Sequence, residues 1–232
     1  LQRLHLNEAQ DQFQQLHRFK GKINAWAYFD GIIGEVELYL FMNHFAAAQE
    51  KLNRAKIEIA ELRYISFPNV VESGSYKLKW LLGEQSSEMI KWALQSPQLV
   101  LNSTDILCTM EVPEITRAKI LITTGRKNHI KRGIDVIQLL QSLLDSVNYH
   151  YDNVDLLMLL AIGKYKLSLK SEATKILQQS IELCEKTGLR RPLMEFSITF
   201  PDIFSLLDIT LLPQGIQHIL KNARLYDRDV VS

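Results

Sequence analysis

Apolar residues return at steps of four and three along most of this chain. In "FAAAQEKLNRAKIEIA" the set Ala48, Leu52, Ala55 and Ile59 falls on one helix face. "LKSEATKILQQSIELC" does the same with Ala173, Leu177, Ser180 and Cys184, and "LNEAQDQFQQL" with Ala9, Phe13 and Leu16. The alanine near the start of each lets a neighbouring helix approach closely. "SSEMIKWALQ" and "GIDVIQLLQSLLDSV" are looser copies. Each copy but the first follows another apolar helix across a short polar turn. "NAWAYFDGIIGEVELYLF" is followed by "MNH", "VESGSYKLKWLLG" by "EQSS", "PEITRAKILITTGR" by "KNHIKR", and "NVDLLMLLAIGKYKLS" by "LKSEA". Helical periodicity dominates, with no series of alternating strands; "YISFPNVV" reads as an isolated extended piece.

This is a string of helix A–turn–helix B hairpins. The B helices recur at roughly 40 residues, longer than the 34 of a regular tetratricopeptide repeat. A hairpin that is apolar on both sides must stack on its neighbours. The expected fold is therefore all-α, a right-handed tetratricopeptide-like superhelix forming one domain over 1–232. Regular hairpins are expected over about 6–187, an irregular connection over about 96–113 ("SPQLVLNSTDILCTMEVP"), and a capping segment over 188–232. In the cap, "PDIFSLLD" and "LPQGIQHILKNA" read as short helices with Pro201 and Pro213 at their first turns. "TGLRRPLMEF" precedes them. Gly188 suits a left-handed helix end, and Pro192 is expected to block resumption, with Arg191 extended before it. One of Arg190 and Arg191 is expected to pin the cap onto the repeats, through Glu195 or a helix C-terminus.

Composition is that of an ordinary globular protein, 47% hydrophobic and 23% charged with a formal net charge of +1. Bulk charge gives no reason to expect nucleic-acid binding. No apolar run approaches the roughly 20 residues of a membrane span; "VDLLMLLAIG" reads as a buried helix. Cys108 and Cys184 lie far apart and read as reduced thiols in a cytoplasmic protein. The chain starts at Leu1 with a helix that lacks its partner, so a fragment of a longer protein is expected.

Three stretches together resemble a known family. "AKILITTGRKNHIKRGIDVIQLLQSLLDSV", "NVDLLMLLAIGKYKLSLKSEATKILQQSIELCEKTG" and "LRRPLMEF" look like the C-terminal half of the helical-repeat sensor domain of MalT-type, LuxR-family regulators. The resemblance runs from about Glu114 to Phe196, and "SEMIKWA" resembles another helix of that domain. The first 80 residues match only as generic repeats. The resemblance implies a signal-sensing domain for a small-molecule effector or protein partner, coupled to a nucleotide-binding switch and a helix-turn-helix outside this chain. ATP would belong to that upstream module, with no cofactor here. Self-association is left open. The competing expectation is a protein-interaction scaffold with no small-molecule site.

No catalytic pattern is evident. The chain holds no G-x-x-x-x-G-K-[ST] phosphate loop and no G-x-S-x-G elbow, and its six histidines are scattered, so an enzyme is not expected. Glu35 and Glu37, two apart, point to different helix faces and read as solvated charges. Between Glu114 and Asp135 lies a belt with no acid: Arg117, Lys119, Arg126, Lys127, Lys131 and Arg132. It reads either as a docking surface for an acidic domain, nucleotide or nucleic acid, or as a solvated turn plus cations favoured near a helix C-terminus. No aromatics interleave with it, which argues against direct nucleic-acid binding. Trp26, Trp80, Arg117, Lys119 and Arg191 are the candidate ligand contacts; Arg126, Lys127, Lys131 and Arg132 are the candidate docking surface. For the tryptophans, packing between repeats is the competing reading.

Overall fold

A computed structural model describes residues 5–23, 25–62, 68–95, 111–146 and 151–223. Among them the only regular structure is helical. The helices are α1 (Leu6–Leu16), α2 (Ala25–Phe41), α3 (Phe45–Leu62), α4 (Pro68–Leu81), α5 (Ser87–Leu94), α6 (Pro113–Thr123), α7 (Lys127–Ser146), α8 (Tyr151–Lys166), α9 (Lys170–Thr187), α10 (Arg191–Thr199) and α11 (Gln214–Ala223). Short 3₁₀ turns cover His17–Phe19, Pro201–Leu206 and Ile209–Leu211. The chain forms two compact units, His5–Arg117 and Ala118–Ser232, with the boundary inside α6.

The hairpin turns share one chemistry. Residues in the left-handed region sit at Asn43 (φ 60°), Gly83 (77°), Gly125 (72°) and Ser168 (66°), each just after an A helix and about 40 residues apart. In three of them the backbone closes the helix identically. His44 N–H donates to Tyr39 O at 2.8 Å, Glu84 N–H to Lys79 O at 2.9 Å, and Leu169 N–H to Lys164 O at 2.9 Å. This is the six-to-one bond of a Schellman end, which satisfies a carbonyl the helix leaves open. Gly188 ends α9 with the same left-handed backbone (φ 74°) but with the simpler five-to-one bond, its N–H on Cys184 O at 2.9 Å.

The steps of four and three do define the buried stripes. Ala48, Leu52 and Ala55 are buried in the first unit against Phe29, Ile33 and Leu78; Ala173, Leu177, Ser180 and Cys184 are buried in the second. Close approach takes a particular form at Gly163 of α8. A Cβ there would lie 3.0 Å from Ile134 Cγ1 and 3.7 Å from Ile122 Cδ1.

Several local expectations are corrected. Pro68–Val71, expected as part of an extended piece, opens α4, because proline's missing N–H costs nothing in a first turn. "KNHIKR" is no turn: the turn is Thr124–Arg126, and Lys127 starts α7. Pro192 does not prevent resumption either. Arg191 and Pro192 begin α10, so Arg191 is helical rather than extended. The rule that placed Pro201 and Pro213 at helix starts applies to Pro192 as well. "PDIFSLLD" is 3₁₀, and "LPQGIQHILKNA" forms α11 just after Pro213. Of the irregular connection over 96–113, all but Glu111, Val112 and Pro113 lies outside the described residues, as does Cys108.

Candidate functional site

The second unit holds a closed ring of four buried charges. Lys119 of α6 bonds Glu195 of α10 and lies 3.7 Å from Asp155 Oδ1 of α8. Arg191 of α10 donates to Asp155 Oδ2 at 2.8 Å and to Glu195 Oε2 at 3.4 Å. All four side chains are at least nineteen-twentieths buried, and cations alternate with anions around the ring. Two positive and two negative charges cancel, which is the condition under which burial of ions is tolerated. Lys119 also lies over the Phe196 ring, 5.4 Å from its centroid. Asp155 Oδ1 has charge contact with Lys119 but no hydrogen bond. Three helices are thereby tied together, and α10 is the segment after the last hairpin.

Arg190 completes the attachment. Its NH1 donates to Cys184 O at 2.7 Å, on the C-terminal turn of α9, where a cation also meets the negative end of the helix. Arg190 pins the cap through a helix C-terminus, as expected, whereas Arg191 pins it through Asp155 of α8 and not through Glu195, which lies one turn along the same helix. Cys184 beneath it is fully buried, and that burial pushes its thiol up to about 12.

The first unit has its own buried polar cluster. Lys77 of α4 bonds Glu37 of α2 and lies 3.2 Å from Glu111 Oε2. Ser73 donates to Glu111 Oε1 at 2.6 Å, Thr116 donates to the same oxygen, and Glu111 N–H donates to Asp30 Oδ1 at 3.3 Å. Glu35 serves the other face of α2. Its Oε2 lies 2.9 Å from His17 Nε2 and 3.0 Å from Lys51 Nζ, and Tyr39 OH donates to Oε1 at 3.2 Å. Burial, then the Glu35 charge, raises the Tyr39 hydroxyl above its usual range. Glu35 and Glu37 do occupy different faces, but the expectation that they are solvated is wrong: both are buried, because neighbouring helices cover both faces and bring cations with them.

The candidate ligand contacts separate by position. Trp80 is buried, and so are Lys119 and Arg191 in the ring. They face packed interior, not an open surface. Arg117 is half-buried on α6. Its guanidinium stacks on Trp92, 4.0 Å from the ring centroid, and its NH1 donates to Trp92 O and, at 3.1 Å, to Gln95 O. It therefore caps the C-terminus of α5. Trp26 falls in the first turn of α2, and its side chain lies outside the described residues. The basic belt divides as well. Arg117 and Lys119 turn inward, whereas Arg126, Lys127, Lys131 and Arg132 are exposed.

The helix-C-terminus account of the belt fits Arg126, which stands in the turn after α6, but not Lys127, which opens α7 where the macrodipole disfavours cations, nor Lys131 and Arg132 in its second turn. Sequence reasoning missed Asp155, Lys77, Glu111 and Asp30. For Asp155 the available signal was a single charge inside an apolar helical stretch, "VDLLMLL". Such a residue has to be paired when its helix is covered on all sides. Among the described residues no three His, Cys, Asp or Glu side chains converge as a metal site, and no helix is long and apolar enough to cross a membrane. In comparisons with known proteins, no family model and no curated protein matches the chain.

Proposed function

We propose that this chain is a regulatory helical-repeat module: a tetratricopeptide-like superhelix of the kind that MalT-type, LuxR-family regulators hold between a nucleotide-binding switch and a helix-turn-helix. The observation that carries the repeat reading is the same left-handed turn at positions 43, 83, 125 and 168. The resemblance of Glu114–Phe196 to the sensor domain of those regulators adds the regulatory part. The mechanism is a shift between two packings of the repeats. A signal, small molecule or protein, moves that balance only through its different affinity for the two states. ATP chemistry and DNA contact belong to the flanking modules, and the setting is cytoplasmic.

Recovering the coding sequence on both sides tests the regulator reading. A nucleotide-binding module upstream and a helix-turn-helix downstream are expected; their joint absence overturns it. For the signal, a thermal-shift panel of sugars and nucleotides is direct. A ligand at 100 times its Kd adds about 2.7 kcal/mol, or roughly 5–10 °C for a chain of this size.

The second reading is a protein-interaction scaffold without a small-molecule site. The burial of Trp80, Lys119 and Arg191 in contacts within the chain favours it, because three of the five candidate ligand contacts are already committed. A panel in which no sugar or nucleotide shifts the melting point selects this reading.

A further inference from the structure

One end of the second unit concentrates positive charge around an exposed leucine. The close approach of Gly163 to Ile134 and Ile122 sets the last turn of α8 beside the first turns of α7 and the end of α6. The Gly125 and Ser168 turns therefore share an end. It carries Arg126, Lys127, Lys131, Arg132, Lys166 and Lys170, all exposed, and the half-buried Lys164. The acids there are fewer. Glu172 is taken by Lys164 at 2.8 Å, Asp135 is exposed on α7, and Asp202 acts on Lys166. Among the described residues Arg126, Lys127 and Lys131 make no ion pair.

Among the described residues nothing in the fold accounts for Lys127 and Lys131. Cations at the start of α7 oppose its macrodipole and repel one another across a single turn. Leu169, between Lys166 and Lys170, is 40% exposed, although it precedes a helix whose cap position favours a small polar residue. Leu139 is 43% exposed on the same face of α7 as Lys131 and Asp135, at four-residue steps. A phosphate backbone would reward the cations but not the leucines. Stacking on bases would need exposed aromatics, and Tyr165 and Phe200 at this end are both partly covered. An acidic peptide that also carries apolar side chains satisfies both features.

We infer that this end of the second unit is a docking surface for an acidic, leucine-bearing polypeptide segment. Arg126, Lys127, Lys131 and Arg132 meet its carboxylates, and Leu169 meets its apolar side chain. The inference stands apart from the family reading: it holds for a regulator or a scaffold alike, and its test does not depend on flanking modules.

Fluorescence anisotropy on the whole chain at low salt tests it. The probe is a fluorescein-labelled peptide of about 20 residues with the repeat Glu-Glu-Leu-Asp, long enough when extended, at about 3.3 Å per residue, to reach all four cations and Leu169. The comparison probes are the same peptide with serine for leucine, and a single-stranded oligonucleotide of equal length. The leucine peptide is expected to bind most tightly. The combined variant R126Q/K127Q/K131Q/R132Q is expected to weaken it by about tenfold or more while its melting point stays level or rises. Leu169→Ser is expected to erase the preference for leucine over serine. If the combined variant loses its helical circular dichroism, the charge reversals K127E and K131E take its place. No peptide binding at low salt, equal binding by the charge variant, or an intact leucine preference in Leu169→Ser would overturn the inference. Tighter binding of the oligonucleotide would assign the surface to nucleic acid instead.

Discussion

Glu114 is a carboxyl that its surroundings want neutral. It is 8% exposed, and its Oε2 has no hydrogen-bond partner. Burial raises its pKa above the usual carboxylate range, opposed by a backbone hydrogen bond and by Arg117, with nearby Glu111 adding to the rise. A carboxyl whose folded pKa is raised binds its proton more tightly folded than unfolded. Its contribution is fully favourable below the unfolded value, near 4.5, and is lost as pH rises through the folded value. Glu114→Gln should therefore raise the melting point at pH 7, with the gain shrinking as pH falls toward 4.5. A gain that is constant from pH 4 to pH 8, or none at all, contradicts this. Cys184 gives the converse case of a group that chemistry should not reach. With its thiol pushed up to about 12 under Arg190, iodoacetamide at pH 8 should leave the Cys184 peptide unmodified in the native chain and label it in urea. Peptide mass spectrometry separates its labelling from that of Cys108.

At the scale of the element, the hairpin turns hold a difference among equivalent positions. Gly83 and Gly125 take the left-handed backbone without penalty, while Asn43 and Ser168 hold it with side chains present. Asparagine tolerates this region better than serine. Ser168→Gly should then stabilise the chain by about 0.5–1 kcal/mol and Gly125→Ala destabilise it by about 1 kcal/mol, read from urea midpoints at constant slope. The turn positions also show what the sequence made legible. The steps of four and three exposed the B-helix stripes, since side-chain spacing along a helix is a local property. Gly188 was legible for the same reason: one residue type is favoured where φ turns positive. The start of α10 was missed because Pro192 carries two opposite local signals, helix stop and first-turn residue, and only packing chooses between them. The pairing of Lys119 with Glu195, 76 positions later, was out of reach. Periodicity says that Lys119 sits in an apolar stretch of helix but not which distant helix brings its counter-charge. The belt misled for that reason: six cations in one stretch without an acid lie partly in a packed interior and partly on an exposed turn and helix start.

At the scale of the whole molecule, each unit holds its own buried ionic network, and among the described residues the two share none. Lys77, Glu37, Glu111 and Asp30 lie in His5–Arg117; Lys119, Asp155, Arg191 and Glu195 lie in Ala118–Ser232. Removing one member of such a network leaves the others charged and desolvated, at a cost of about 3–5 kcal/mol, whereas replacing the whole set with apolar residues of similar volume is often neutral or better. Arg191→Met should therefore be strongly destabilising, and the fourfold replacement K119M/D155L/R191M/E195L should recover most of that loss. The location of the effect is as informative as its size. Hydrogen exchange in Arg191→Met should quicken over α8, α9 and α10, since the ring joins α10 to α8 and Ser180 of α9 donates to Val154 O of α8 at 3.4 Å. Exchange in Lys77→Met should quicken over α2 and α4. With no shared partner among the described residues, the two losses should add within about 0.5 kcal/mol in the double variant. A fourfold replacement as unstable as Arg191→Met would mean that the ring contributes net stability beyond mere charge cancellation. Exchange that quickens equally in both units after either single change would mean that the networks act as one.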